Sequence, residues 1–465
     1  MHILNKLLLL SILSSLSLSA WAVPADWSGS LAFDTNIIKD FRRTSDTCDP
    51  AKNGECIKPE EDNARFQSMT LKLNPNIIVN DGVTIKAELS TGSNRTSNLG
   101  SATNHDSKGG SYFAQTTNST MNVNQLYAEL YADTALYKIG RFSKHYGLGA
   151  VINAGNNPTD RFFSGYEGIE AGLKLGNFHL TPMWAKLHTT SNPNGRYDAY
   201  ETSVEAMYDN PNRNMKFGVY YGIREIESNN DLYGTGTGPQ NVTIIDVFFA
   251  KSWEKFSFEL EIPMLSGEVK NTYGTGDADF DTNAYILETT YKLNNKWNVG
   301  INAGIVKGDD GTTNSFEGMY LHPNYQIAEI MYRYNYNGFN DATNYNIYNS
   351  SIVNSTYAQL FFHYNKGEWT WKLSALTAKA NQVAENGKVF YNHAKQATAT
   401  AIADQKDDLG YELDISFDYK WNPSVNFTGY LGYHFVGDYY KFSNDTEELS
   451  TTNVMASGMR LAVNF

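Results

Sequence analysis

The sequence predicts an all-β chain, a transmembrane antiparallel β-barrel of about eighteen strands. Three observations carry that expectation. The first 22 residues read as an export leader, alternation of apolar and polar residues runs through almost all the rest, and the last strand ends on an aromatic residue. Composition agrees. The 465 residues hold 31 Tyr and 24 Phe but only 12 Pro, a balance that favours strands over disorder. A mean hydropathy of −0.45 leaves no room for the several runs of about 20 apolar residues that a helical membrane protein needs. The net charge of −13 argues against a nucleic-acid partner.

In the leader, Lys6 precedes an apolar run from Leu7 to Leu18, and Ala20 and Ala22 close it in an A-x-A arrangement. Cleavage is expected after Ala22, which leaves residues 23–465 as a single exported domain in the outer membrane. The apolar run is too short to be a spanning helix.

Beyond it, segments of about ten residues alternate and then turn. Val83, Ile85, Ala87 and Leu89 interleave with Thr84, Lys86, Glu88 and Ser90. Tyr411, Leu413, Ile415, Phe417 and Tyr419 interleave with Glu412, Asp414, Ser416, Asp418 and Lys420. A soluble sandwich also alternates, but here the polar positions are charged through mid-strand. Aromatics such as Trp297, Trp369 and Trp421 stand beside the tight turns, where a membrane-interface girdle belongs.

Short turns are expected near residues 80–82, 132–135, 176–177, 209–214, 253–255, 294–296, 365–368 and 422–424. These would lie at the periplasmic rim, and nine longer polar segments would face outside. Eight turns and nine loops join eighteen strands. Tyr325–Tyr336 reads like a strand but has no short turn beside it, so counting it breaks the parity. It is therefore read as part of a long loop, 307–357, folded into the pore. There Glu329 and Arg333 would line the passage, with Arg141 as a partner on the wall. The alternative is a hairpin whose second strand goes unrecognised.

In GMRLAVNF, Met459, Leu461, Val463 and Phe465 alternate with Gly458, Arg460, Ala462 and Asn464. This resembles the terminal signature by which outer-membrane proteins engage the barrel-assembly machinery. Residues 136–163 (LYKIGRFSKHYGLGAVINAGNNPTDRFF) and 322–334 (HPNYQIAEIMYRY) resemble large specific porins of the alginate-export-type group. That resemblance implies an eighteen-stranded porin passing small polar or anionic solutes by passive diffusion. Arg141, Lys144, His145 and Arg161 cluster in the first stretch and are the candidate anion-attracting patch.

Catalysis is not expected, because the histidines are scattered and no nucleophile-elbow or zinc-binding motif occurs. No cofactor is expected. The remaining alternative is a structural or adhesin-type surface protein acting through its loops. Expected partners are outer-membrane lipids and small solutes, and the sequence leaves open whether the barrel forms a homo-oligomer. Two loop features complete the reading. Cys48 and Cys56, which enclose seven residues in an oxidising compartment, should form a disulfide. Asp277, Asp279 and Asp281 match calcium-loop spacing in part, but Thr282 replaces the glycine that the motif requires.

Overall fold

A computed structural model describes residues 25–44, 48–49, 55–56, 63–92, 95, 97–98, 103–108, 111–117, 121–188, 199–226, 238–270, 278–311, 315–335, 347–442 and 450–465. The expected leader and its cleavage site lie outside them.

Eighteen strands form the wall. They are β1 (Ala25–Lys39), β2 (Ala64–Asn80), β3 (Val83–Thr91), β4 (Met121–Tyr131), β5 (Ala135–Ser143) and β6 (Gly165–Leu175). Next come β7 (Phe178–His188), β8 (Ala199–Asn210), β9 (Met215–Ile226), β10 (Gly238–Ser252), β11 (Phe256–Lys270) and β12 (Ala278–Lys292). The wall ends with β13 (Trp297–Val306), β14 (Ser355–Lys366), β15 (Trp369–Ala380), β16 (Asp408–Asn422), β17 (Val425–Val436) and β18 (Val454–Asn464). Each wall strand pairs antiparallel with its sequence neighbours, and β18 returns to β1 in the register Ser30↔Asn464 to Lys39↔Met455. Gly29 and Phe465 exchange both backbone hydrogen bonds, at 2.8 and 3.0 Å, so the seam leaves no open edge.

All eight short turns fall where the sequence places them. Asparagine initiates several by accepting a backbone N–H ahead of it: Asn80 from Gly82, Asn294 from Lys296, and Asn422 from Ser424, each at 2.8 Å. The alternation sorts the two faces. In β1, Ala32, Asp34, Asn36 and Ile38 are buried inside while Thr35 and Ile37 are exposed outside. Outward Leu126, Ile169, Trp184, Ile301, Leu373, Ile415 and Met459 stay more than 40% exposed, an apolar band that only a membrane would cover. Trp297 packs on Tyr364 and Trp369 on Tyr419 beside the short turns, with ring centroids 4.6 and 4.5 Å apart.

Residues 325–335 carry no strand. Cys48 and Cys56 oppose each other in a two-stranded antiparallel pair outside the wall. The calcium-loop reading is corrected. Asp279 and Asp281 lie in β12, where an extended backbone puts both on the exposed face instead of wrapping them around an ion. Asp277 falls outside the described residues, and among those described no group of acids, His and Cys could hold a metal.

Candidate functional site in the barrel lumen

Among the described residues, loop A (144–164, between β5 and β6) and loop B (307–354, between β13 and β14) run into the lumen. A loop inside a barrel must satisfy its backbone there, and wall side chains of both signs do so.

Lys144 opens loop A. It is buried between Glu170 on β6 (2.8 Å) and Glu205 on β8 (2.9 Å). Burial works against its ammonium, but Glu205 and Glu170 outweigh burial and hold its pKa above the ordinary lysine value. Further along, the Tyr146 hydroxyl donates to the Asp246 carbonyl at 3.1 Å, and the Leu148 N–H donates to the Glu261 carboxylate. Lys72 on β2 donates to the carbonyls of Gly155 (3.1 Å) and Asn157 (2.6 Å). Arg95 also reaches the Gly155 carbonyl (3.0 Å) while pairing with Glu88 (2.8 Å) and covering the Phe163 ring. Near the far end, Arg161 bonds Asp34 (3.0 Å) on β1 and Ser68 (3.2 Å) on β2. Loop A is thus tied to strands from β1 to β11 and crosses the lumen.

Loop B lies against it. His322 donates its backbone N–H to the Ala150 carbonyl (2.7 Å), and the Asn324 amide donates to the Phe162 carbonyl (2.7 Å). Ile327 and Met331 pack with Tyr357 of β14 in one cluster, and Ile330 packs with Ile38 and Tyr334 in another. The Tyr325 hydroxyl donates to Glu288 (2.9 Å). Arg333 pairs with Glu329 at 2.6 Å and lies over the Tyr430 ring at 5.1 Å. Tyr430 in turn bonds Tyr334 (2.9 Å) and Asn36 (2.7 Å), and Arg161 stacks 3.5 Å over Tyr348.

The structure therefore brings Arg161 and Arg333 into one tyrosine-lined region, where Arg460 also reaches Asp34. Lys144 sits apart, under loop A. His145 is exposed beside it, and the charge of His145 acts on His322. Arg141 requires a correction. Lys138 faces inward onto Glu170, so a residue three positions on must face outward. There Arg141 pairs with exposed Glu167 at 2.7 Å, above lipid-facing Ile139, and cannot be the wall partner of loop B. Sequence reasoning missed Arg95, which reads as one more polar residue in a long loop. It also missed Glu201, which takes Arg224 on β9.

An apolar outer band, a charged interior and two loops drawn across the lumen define a closed eighteen-stranded antiparallel barrel of the membrane-spanning kind. No protein-family model and no curated protein matches the chain. Among solved structures it is similar to Pseudomonas aeruginosa OccK8 (OprE), at 12% identity and a TM-score of 0.51 over 95% of this chain and 98% of that one. It is also similar to P. aeruginosa OccK2 (OpdF) in complex with glucuronate, at 10% identity and a TM-score of 0.51 over 95% and 96%. A third is P. aeruginosa OpdK with vanillate, at 10% identity and a TM-score of 0.50 over 95% and 98%. At such identities the shared feature is the eighteen-stranded fold.

Proposed function

We propose that this chain is an outer-membrane channel for passive diffusion of small hydrophilic solutes, polar or anionic, and that it catalyses no reaction. The observation that supports a channel is the closed barrel with its apolar face outside and its charges inside. Anionic solutes are favoured where the loops meet the wall. Arg161, Arg333 and Arg460 converge there beside Asp34 and Glu329, and their guanidinium groups are the kind that hold a carboxylate in two parallel hydrogen bonds. Small carboxylates such as the glucuronate and vanillate present in two of the solved neighbours would suit such a guanidinium cluster. The narrower likeness to the alginate-export-type group rests on residues 136–163 and 322–334 alone. In the first stretch Arg141 points out and Lys144 is neutralised by two glutamates, so no strongly cationic constriction supports alginate as the solute.

Reversal potentials in asymmetric potassium chloride test the proposal. The intact channel should prefer chloride, and Arg161→Gln together with Arg333→Gln should shift the reversal potential toward cation preference. A cation-selective unsubstituted channel, or a double variant with an unchanged potential, would contradict the arginine assignment.

A further inference from the structure

Most buried wall acids answer to a base: Asp34 to Arg161 and Arg460, Glu170 to Lys138 and Lys144, Glu201 to Arg224. Four do not. Among the described residues Asp246 on β10, Glu261 on β11, and Glu412 and Asp414 on β16 form no ion pair with a base. Of these Glu412 and Glu261, both 0% exposed, are the two that accept backbone N–H groups of the loops. A carboxylate stripped of water and left without a cation is costly unless hydrogen-bond donors replace the solvent. Here the donors come from the loops.

Glu412 accepts three consecutive backbone N–H groups of loop B. Glu329 (2.9 Å) and Ile330 (2.7 Å) donate to one oxygen, and Met331 (2.6 Å) donates to the other. Successive amides aimed at one point form an anion-binding nest, which the chain closes with Tyr332 at a positive φ of 65°. The wall is shaped to admit this turn. Gly432 on β17 lies opposite Asp414, and a Cβ there would stand 3.2 Å from both Glu329 Cβ and Ile330 Cδ1. Glu261 repeats the device for loop A, accepting the Leu148 N–H beside Gly147, whose φ of 58° keeps the place of a Cβ free for the Glu261 carboxylate.

We infer that Glu412 is the positioning residue that seats loop B in the lumen, and that Glu261 is its counterpart for loop A. The consequence for the bore rests on the channel reading above. The seating itself does not.

The test places a reporter, Met331→Cys, under the nest and follows its labelling by a charged maleimide in the folded, heat-resistant protein. Adding Glu412→Leu should speed labelling at least about tenfold, the factor attached to losing one charge-assisted hydrogen bond. Adding Asp418→Asn, an acid whose hydrogen bonds run to Thr428 and Asn426 on the wall, should leave labelling unchanged. Equal rates with and without Glu412 would overturn the inference, as would equal acceleration by both substitutions. Should Glu412→Leu fail to assemble, hydrogen exchange of the unsubstituted barrel decides. The amides of 329–331 should exchange as slowly as wall amides, and rapid exchange would overturn the seating. Open-channel conductance should rise in Glu412→Leu. An unsubstituted protein that conducts nothing would strike the channel reading instead, with labelling and exchange still judging the dock.

Discussion

His322 and His393 each accept a backbone N–H on an unprotonated ring nitrogen. Asn324 donates to His322 Nδ1 at 3.2 Å and Asp309 donates to His393 Nε2 at 2.8 Å. Burial pulls both rings down to about 4, helped at His322 by the charges of His145 and Arg95. The sign follows from linkage. With the ordinary value at 6.5, an unseated loop takes up protons as the pH falls below 6.5, and the seated loop resists until about 4. Stability that is complete above 6.5 is therefore lost through that window. Hydrogen exchange, corrected for intrinsic rates, should show residues 309–324 losing protection between pH 6.5 and 4 while the wall stays protected. His322→Asn should blunt the loss around 322–324. Flat protection down to pH 4 would contradict the assignment. At this scale the sequence was half legible. Alternation places Asp34, Glu261, Glu288 and Glu412 inside, but their partners lie up to hundreds of residues away, and no local pattern encodes a contact across a lumen. Arg141 was misread because a motif suggested its role, whereas the phase of its own strand, set by inward Lys138, decides which way it points.

The turns and strands were the most legible elements, since an Asn that caps its own turn and a period of two are local properties. The long loops were not. Loop B carries an amphipathic stretch that imitates a strand, and only the parity of the wall argues it out of the sheet. Its docking depends on Glu412, 82 residues downstream of Ile330. The first external loop offers a separate check. Cys48 and Cys56 face each other across an antiparallel pair, a backbone register compatible with a disulfide. Mass spectrometry of the unreduced protein should find a linked Cys48–Cys56 peptide, and two alkylatable thiols would defeat the expectation. Because the pair lies outside the wall, reduction should loosen this loop and leave heat-resistant migration intact.

For the whole molecule, one even-numbered wall closes on itself through Gly29 and Phe465, and among the described residues loops A and B lie across its lumen against inward wall side chains. The wall follows from patterning, while the constriction follows from long-range pins such as Lys72, Arg161, Glu261 and Glu412. Barrel and bore should therefore be separable by mutation. Deleting Gly311–Ser350 removes most of loop B, including the segment on Glu412, yet leaves every strand of the wall. Single-channel recording in planar bilayers, comparing the intact chain with this deletion, tests the central claim most directly. The intact protein should give discrete, ion-selective conductance steps, and the deletion should give larger, less selective ones from a barrel that still migrates as heat-resistant. A folded protein that conducts nothing would return the chain to a surface role played by its external loops. An unchanged conductance in the deletion would show that loop B does not narrow the pore.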